Sequence, residues 1–329
     1  MAGSPKPRVG SESRRTRLFP TSRKNFLFVF WAELVLVGCL EVPQVSSAQS
    51  QPLSSPSSES STILVGARLK DGAATELSPS EIEIKADKKI ATITDVHRVA
   101  EGALNYALDF DTSGGQRKHF TQQRDEAVQI LSKLVQSGRD HGILVAFSDQ
   151  PFLDADGTDP RKFIKALAGE LPRGSTALYD AVVASVDHMS KIAPDQGRRV
   201  MFILSDGEDN SSHMSQEAAL SALLQAGIRV YVVGQKNADA NVSSRQIDRD
   251  ANTLKEFAQG TGGKVYFPAK EEDVDKIIAD MVAELANLFS VSYTLSGQPA
   301  DGRVHKLQVK CSKKDISITA PDRYYASRP

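Results

Sequence analysis

The chain predicts an α/β fold: a doubly wound, mostly parallel six-stranded sheet, with a small β-sandwich-like flank built from its N- and C-terminal strands. Three observations predict it. Between residues 104 and 289, apolar runs alternate with segments of helical period, the pattern of right-handed βαβ crossovers over a sheet covered on both faces. On either side, residues 62–103 and 290–329 are strand-rich, and neither segment carries enough apolar residues to fold alone. The composition, 40% hydrophobic and 25% charged over 329 residues, allows a sizeable core.

Residues 1–48 have the layout of an export signal, so the expected location is periplasmic or extracellular. Arg14, Arg15, Arg17, Arg23 and Lys24 precede an apolar run over 26–40, and Ser46-Ser47-Ala48 offers small residues for cleavage. The run is interrupted by Glu33 and is shorter than the roughly 20 apolar residues that a spanning helix needs. Leu36-Val37-Gly38-Cys39 also resembles a bacterial lipobox, which would instead anchor the chain through lipid on Cys39. Cleavage after Ala48 leaves Cys311 with no intramolecular partner, as a small apolar residue of a strand. Residues 49–61 are rich in Ser, Pro and Gln and form a disordered linker.

The N-terminal flank, 62–103, alternates at Ile82 and Ile84 and is β-branched around Ile90 and Ile93. In the central segment, 104–289, strands are expected over 104–110, 142–148, 199–204, 229–234 and 264–267, with a short antiparallel edge strand after Ser148. Helices are expected over 117–136, 177–192, 215–226, 251–259 and 271–288. In the C-terminal flank, 290–329, VSYTLSG, HKLQVKC and ISITA are further strands, and Asp301-Gly302 is a hairpin signal between the first two.

Chemistry concentrates at the carboxyl ends of these strands, where an open α/β sheet binds ligands beside its topological switch point. The run LNYALDFDTSGG puts Asp111, Thr112 and Ser113 just after the first central strand, and FILSDGED puts Asp206 after a second. Gly174-Ser175-Thr176 opens a helix on the same rim. Two carboxylates with hydroxyls make a hard, oxygen-only donor set, suited to Mg²⁺ or Mn²⁺ far better than to zinc.

These residues resemble the metal-ion-dependent adhesion site of von Willebrand factor type A domains, Asp-x-Ser-x-Ser, then Gly-x-Thr-x-Leu, then Asp-Gly. By position, Asp111 and Ser113 match the first element, Thr176 the second and Asp206 the third. The resemblance covers roughly 104–289, and the strand-rich flanks are similar to those of exported bacterial relatives. Gly115 stands where the motif has its second serine, so one hydroxyl is missing and Mg²⁺ or Mn²⁺ should bind weakly, by roughly 10- to 100-fold if the loss is like that of a supporting ligand. The resemblance implies no catalysis: a divalent cation with an open position would take an acidic side chain from a partner protein. Gly115, Ser175, Asp209 and His213 are the candidate ligand-binding rim, together with the 236–249 segment.

Two alternatives stand beside this reading. Asp109-Phe110-Asp111-Thr112-Ser113 resembles the first motif of haloacid-dehalogenase-type phosphatases, with Asp109 as nucleophile and Asp111 as acid/base. The chain could also be a structural type A module whose metal site has decayed. A net charge of −1 argues against nucleic acid as partner, and Gly114-Gly115 is too little for a phosphate-cradling loop, so no small-molecule cofactor is expected. The six histidines lack metal-ligand spacing and are expected at the surface, and Arg198-Arg199 in a solvated turn. Oligomeric state has no signal in the sequence.

Overall fold

The computed structural model describes residues 16–17, 60–99, 101–192, 198–235, 243–268, 272–297 and 299–328. The apolar run, Cys39, the 46–48 cleavage residues, linker residues 49–59 and rim residues 236–242 lie outside the described residues. Among the described residues no helix is long and apolar enough to cross a membrane.

In chain order, β1 (Thr16–Arg17) is followed by β2 (Ser60–Leu69), β3 (Ile82–Ala86), β4 (Lys89–Ile90) and β5 (Thr92–Arg98). The last two residues of the expected linker are thus the first of β2. The central segment runs β6 (Leu104–Asp111), α1 (Phe120–Leu134), β7 (His141–Phe147), β8 (Pro151–Gly157), α2 (Pro160–Ala168), α3 (Leu178–Ile192) and β9 (Arg198–Ser205). It continues with α4 (Gln216–Gln225), β10 (Arg229–Gly234), α5 (Ser244–Gly260), β11 (Lys264–Tyr266) and α6 (Glu272–Leu285). The chain closes with β12 (Leu288–Thr294), β13 (Arg303–Cys311), β14 (Ile316–Thr319) and β15 (Arg323–Ala326).

The central sheet has the order β1-β8-β7-β6-β9-β10-β11. Its six expected strands are present, and the two-residue β1 adds a seventh, pairing Thr16 with Leu153 and Arg17 with Phe152. The pairings are parallel except at β8, which runs antiparallel to both β7 and β1. From β6 the chain moves outward to β7 and β8, then returns to β9 on the other side. The order therefore reverses between β6 and β9, which opens a crevice beyond their carboxyl ends.

Strand alternation decides what each face of β6 meets. Tyr106, Leu108 and Phe110 pack into the core cluster that includes residues of α1, α2 and α6. Ala107 faces the cluster of α3, α4 and α5, and Asp109 and Asp111 follow it at the period of two. α5 is longer than the apolar pattern predicts because its first half, SRQIDRDAN, is mostly polar and largely exposed or half-buried. Its start is marked instead by the Ser243 cap, whose side chain accepts from Gln246 N.

The flanks interleave into a β-sandwich of two four-stranded sheets, β14-β2-β12-β5 and β15-β13-β3-β4. Val65, Ile84, Phe289, Val291, Leu307 and Tyr324 from both sheets share one core. The expected hairpin at Asp301-Gly302 is not formed between β12 and β13. Both edges of β12 are already taken by β2 and β5, so the chain crosses to the second sheet, and the turn chemistry only shapes the crossing. The Arg198-Arg199 expectation also fails. Both lie in β9, and Arg198 is buried, donating to Leu285 O at 3.1 Å and Gly102 O at 2.7 Å.

Arg229 couples the sandwich to the central sheet. It is 1% exposed at the start of β10 and donates to Glu284 of α6 at 2.5 Å, Thr319 of β14 at 2.6 Å, Leu64 O of β2 at 3.1 Å and the Tyr231 hydroxyl at 3.0 Å. Lys264 stands 2.5 Å from the other Glu284 oxygen and 2.9 Å from Asp280, which also pairs with Arg68 at 2.7 Å. Burial alone would raise the Glu284 carboxyl, yet the charges of Arg229 and Lys264 hold it below the usual range.

Candidate functional site

Three loops meet over the carboxyl ends of β6 and β9. The loop after β6 is tied to the one before α3: Gly114 N donates to Gly174 O at 3.0 Å, and Arg173 N to Thr112 O at 2.8 Å. The loop before α3 is tied in turn to the one after β9, with Thr176 N donating to Asn210 Oδ1 at 2.8 Å, and Asn210 N and Ser211 N donating back to Thr176 O at 3.0 Å. Gly174, at φ +72°, makes this approach possible, since a Cβ there would strike the Asp149 carboxylate that accepts from Ser175 N at 2.6 Å.

Asp111 is fully buried at the end of β6. Its Oδ1 accepts from Ser113 N at 2.8 Å, and its Oδ2 from Ser205 Oγ at 2.6 Å and Gln116 Nε2 at 3.4 Å. Ser205 Oγ also accepts from Gly207 N at 3.1 Å, so the end of β9 is bolted to Asp111. Asp206 Oδ1 accepts from Glu208 N at 3.1 Å. Burial above all, then the Asp206 charge, pushes the Asp111 carboxyl up to about 7, against the pull of Ser205 and Ser113. Burial is also the main cause that brings Asp206 to about 6. Ser113 is 1% exposed, and its Oγ has no partner in hydrogen-bonding geometry.

The residues 114–118 form a 3₁₀ turn rather than the first turn of α1, because two successive glycines start a helix poorly. That turn brings Gly115 to the same place. A Cβ built on Gly115 would lie 3.6 Å from Glu208 Oε2, 3.7 Å from Ser113 Oγ and 3.9 Å from Asp206 Oδ2.

A von Willebrand factor type A domain model matches residues 108–280. The chain belongs to the von Willebrand factor type A family. No curated protein matches the sequence. Among solved structures, a von Willebrand factor type A protein from Catenulispora acidiphila is 9% identical over 84% of this chain and 75% of its own, with a TM-score of 0.46. An aerotolerance-related membrane protein from Bacteroides fragilis is 18% identical over 56% of this chain and 98% of its own, at 0.41. Proximal thread matrix protein 1 from the mussel byssus, in a form with a zinc-occupied MIDAS motif, is 18% identical over 60% of this chain at 0.46, and the match spans 48% of that chain.

Within the type A domain, Asp111 ends β6, Ser113, Thr176 and Asp206 lie in the three tied loops, and Ser175 is exposed beside them. Asp209 is engaged differently. Its Oδ2 accepts from Tyr179 N at 3.0 Å and Ser212 Oγ at 2.6 Å, so it caps α3. His213 projects into solvent, with Nδ1 3.0 Å from Asp180 Oδ2. Among the described residues no group of three or more His, Cys, Asp or Glu gathers to hold a metal; the donors here are two carboxylates and hydroxyls. Glu208 is absent from the residues to which the sequence points. The signal for it is Asp206-Gly207-Glu208: Gly207 is at φ +88°, and Glu208 Oε2 lies 3.6 Å from where a Cβ on Gly115 would stand.

Asp109, the nucleophile of the phosphatase alternative, is 0% exposed, and its Oδ1 accepts from Ser185 Oγ at 2.5 Å. A group so enclosed has no approach for a phosphate ester. Burial raises its carboxyl to about 8. A raised folded value means that the native state binds more protons than the unfolded one between roughly pH 4 and 8, so stability falls as pH rises through that window. Asp109→Asn, which keeps the Ser185 acceptor, should flatten the thermal midpoint against pH; the parent slope contributed by one such group reaches about 1.4 kcal/mol per pH unit. An unchanged slope in the variant would reject the assignment.

Proposed function

We propose that this type A domain is an exported, cation-assisted protein-binding module, in which Asp111, Ser113, Thr176 and Asp206 hold Mg²⁺ or Mn²⁺ and no covalent bond is made or broken. The observation that carries the reading is the Ser113 hydroxyl, which is buried, has no partner in hydrogen-bonding geometry, and lies against the same point beside Gly115 as Asp206 Oδ2. Native proteins seldom leave such an atom unsatisfied unless something else binds there. The donors are all hard oxygens, which suits these two cations. When bound, the cation offers an open coordination position to a carboxylate of the partner. The protein's own residues orient that position: Ser205 and the Ser113 amide fix the Asp111 carboxylate, and the Glu208 amide fixes Asp206. Ser175, exposed on the rim, and His213 are the side chains placed to touch the partner.

Calorimetric titration of Mg²⁺ and Mn²⁺ into the chelator-washed protein tests the reading. One saturable ion per chain is expected. Absence of heat from both cations, with the thermal midpoint insensitive to them, would overturn it.

A further inference from the structure

We infer that the open edge of β13 over residues 308–311 is a strand-addition site for an extended segment of a partner protein, one that alternates carboxylate and apolar side chains. Along one side β13 has β3, paired over residues 307–311. Along the other, β15 covers only residues 303–306, and Leu307 N closes that ladder on Asp322 O at 2.9 Å. The chain before β15 does not continue beside β13, because β14 pairs with β2 of the opposite sheet and residues 320–322 make the switch. Among the described residues, 308–311 therefore have no strand on that side.

Lys306 O accepts from Asp87 N at 3.0 Å and Ser312 N donates to Glu81 O at 2.8 Å, so the even-numbered residues bond to β3. Val309 then points its N–H and C=O the other way, toward a groove of about 1010 Å³ whose far wall includes Ile318, Ala320 and Pro321. An unpaired edge of this kind is a template for another strand. The inner side of the groove is apolar: Val309, Ile318 and Ala320 are half-buried at the margin of the sandwich core. The outer side is cationic, with Lys310 exposed on the edge itself and Lys85, Lys88, Lys306 and Arg323 bordering the groove. Its two carboxylates are engaged, Asp87 at 2.6 Å from His305 and Asp322 at 2.9 Å from Arg323. Side chains of an added strand alternate between these two sides, so apolar ones would meet Val309 and Ile318 while carboxylates meet Lys310 and its neighbours. A second copy of this chain fits poorly, since antiparallel pairing about Gln308 would set Lys306 opposite Lys310. Thr319 of β14 bonds to Arg229 at the start of β10, so the groove lies by the amino ends of the central strands, away from the rim.

Fluorescence anisotropy of the full chain with a labelled peptide of alternating glutamate and valine tests this, beside a control of alternating lysine and valine. The glutamate peptide should bind saturably, and the lysine peptide at least about tenfold more weakly. Val309→Pro removes the N–H offered to the groove and none that bonds to β3, so it should weaken the glutamate peptide about tenfold and leave the thermal midpoint near that of the parent. Lys310→Glu should weaken the glutamate peptide and strengthen the lysine peptide, and it carries the test should the proline destabilise the fold. Equal binding of the two peptides, no binding of either, or a glutamate peptide indifferent to both variants would overturn the inference. A dimer of the full chain that Val309→Pro dissociates would give the edge to a second copy and overturn it as well.

Discussion

Arg229→Ala is expected to destabilise the folded chain by about 3–5 kcal/mol, the cost of removing one partner from a buried ion pair. The guanidinium satisfies acceptors on four elements, and its loss removes the charge partner of Glu284 Oε1, leaving that oxygen, in a carboxylate 2% exposed, with only the Thr319 hydroxyl. Lys264 would remain on one oxygen only. The variant should therefore recover part of its stability on acidification, as the stranded carboxyl takes up a proton. Replacing the pair together, Arg229→Met with Glu284→Leu, should cost less than Arg229→Ala alone, since no uncompensated charge is left. Urea unfolding of the three proteins provides the comparison, and a loss below about 1 kcal/mol for Arg229→Ala would show that the junction does not depend on it.

The elements that the sequence reveals best are those whose burial is continuous. The strands β6, β7, β9 and β10 are buried along nearly their whole length, and their edges fall within a residue or two of the expected positions. Asp111, Ser113 and Asp206 could be placed on the rim from the sequence because they stand at or just after the ends of β6 and β9, and Thr176 because it stands just before α3. Features that depend on which sheet a strand joins could not. Asp301-Gly302 specifies a turn, but the occupied edges of β12 decide that it leads to another sheet. Arg198 looks like a solvated residue by type; its burial follows from carbonyls contributed by residues 102 and 285. Glu208 stayed hidden for a related reason, because its relevance lies in the distance to Gly115, ninety-odd residues earlier in the chain.

Asp111→Asn should abolish cation binding, lowering affinity by at least about 100-fold, without lowering the stability of the cation-free protein near neutral pH. The two effects separate because of the sign of the pKa shift. Burial raises the folded Asp111 carboxyl to about 7 from an ordinary value near 3.8, so its ionised form costs stability above that window. Asparagine removes that charge and can still accept from Ser113 N. In the parent, binding must also displace protons from Asp111 and from Asp206, which titrates at about 6. Affinity should therefore climb between about pH 5 and 8, by up to about tenfold per pH unit for each proton released, and level off above. Saturating cation at about 100 times its dissociation constant should add about 2.7 kcal/mol to parent stability and nothing to the variant. A parent affinity independent of pH, or an Asp111→Asn protein that still gains stability from Mn²⁺, would place the cation elsewhere. The expected pattern instead ties the ion to the one carboxylate around which the three loops are built.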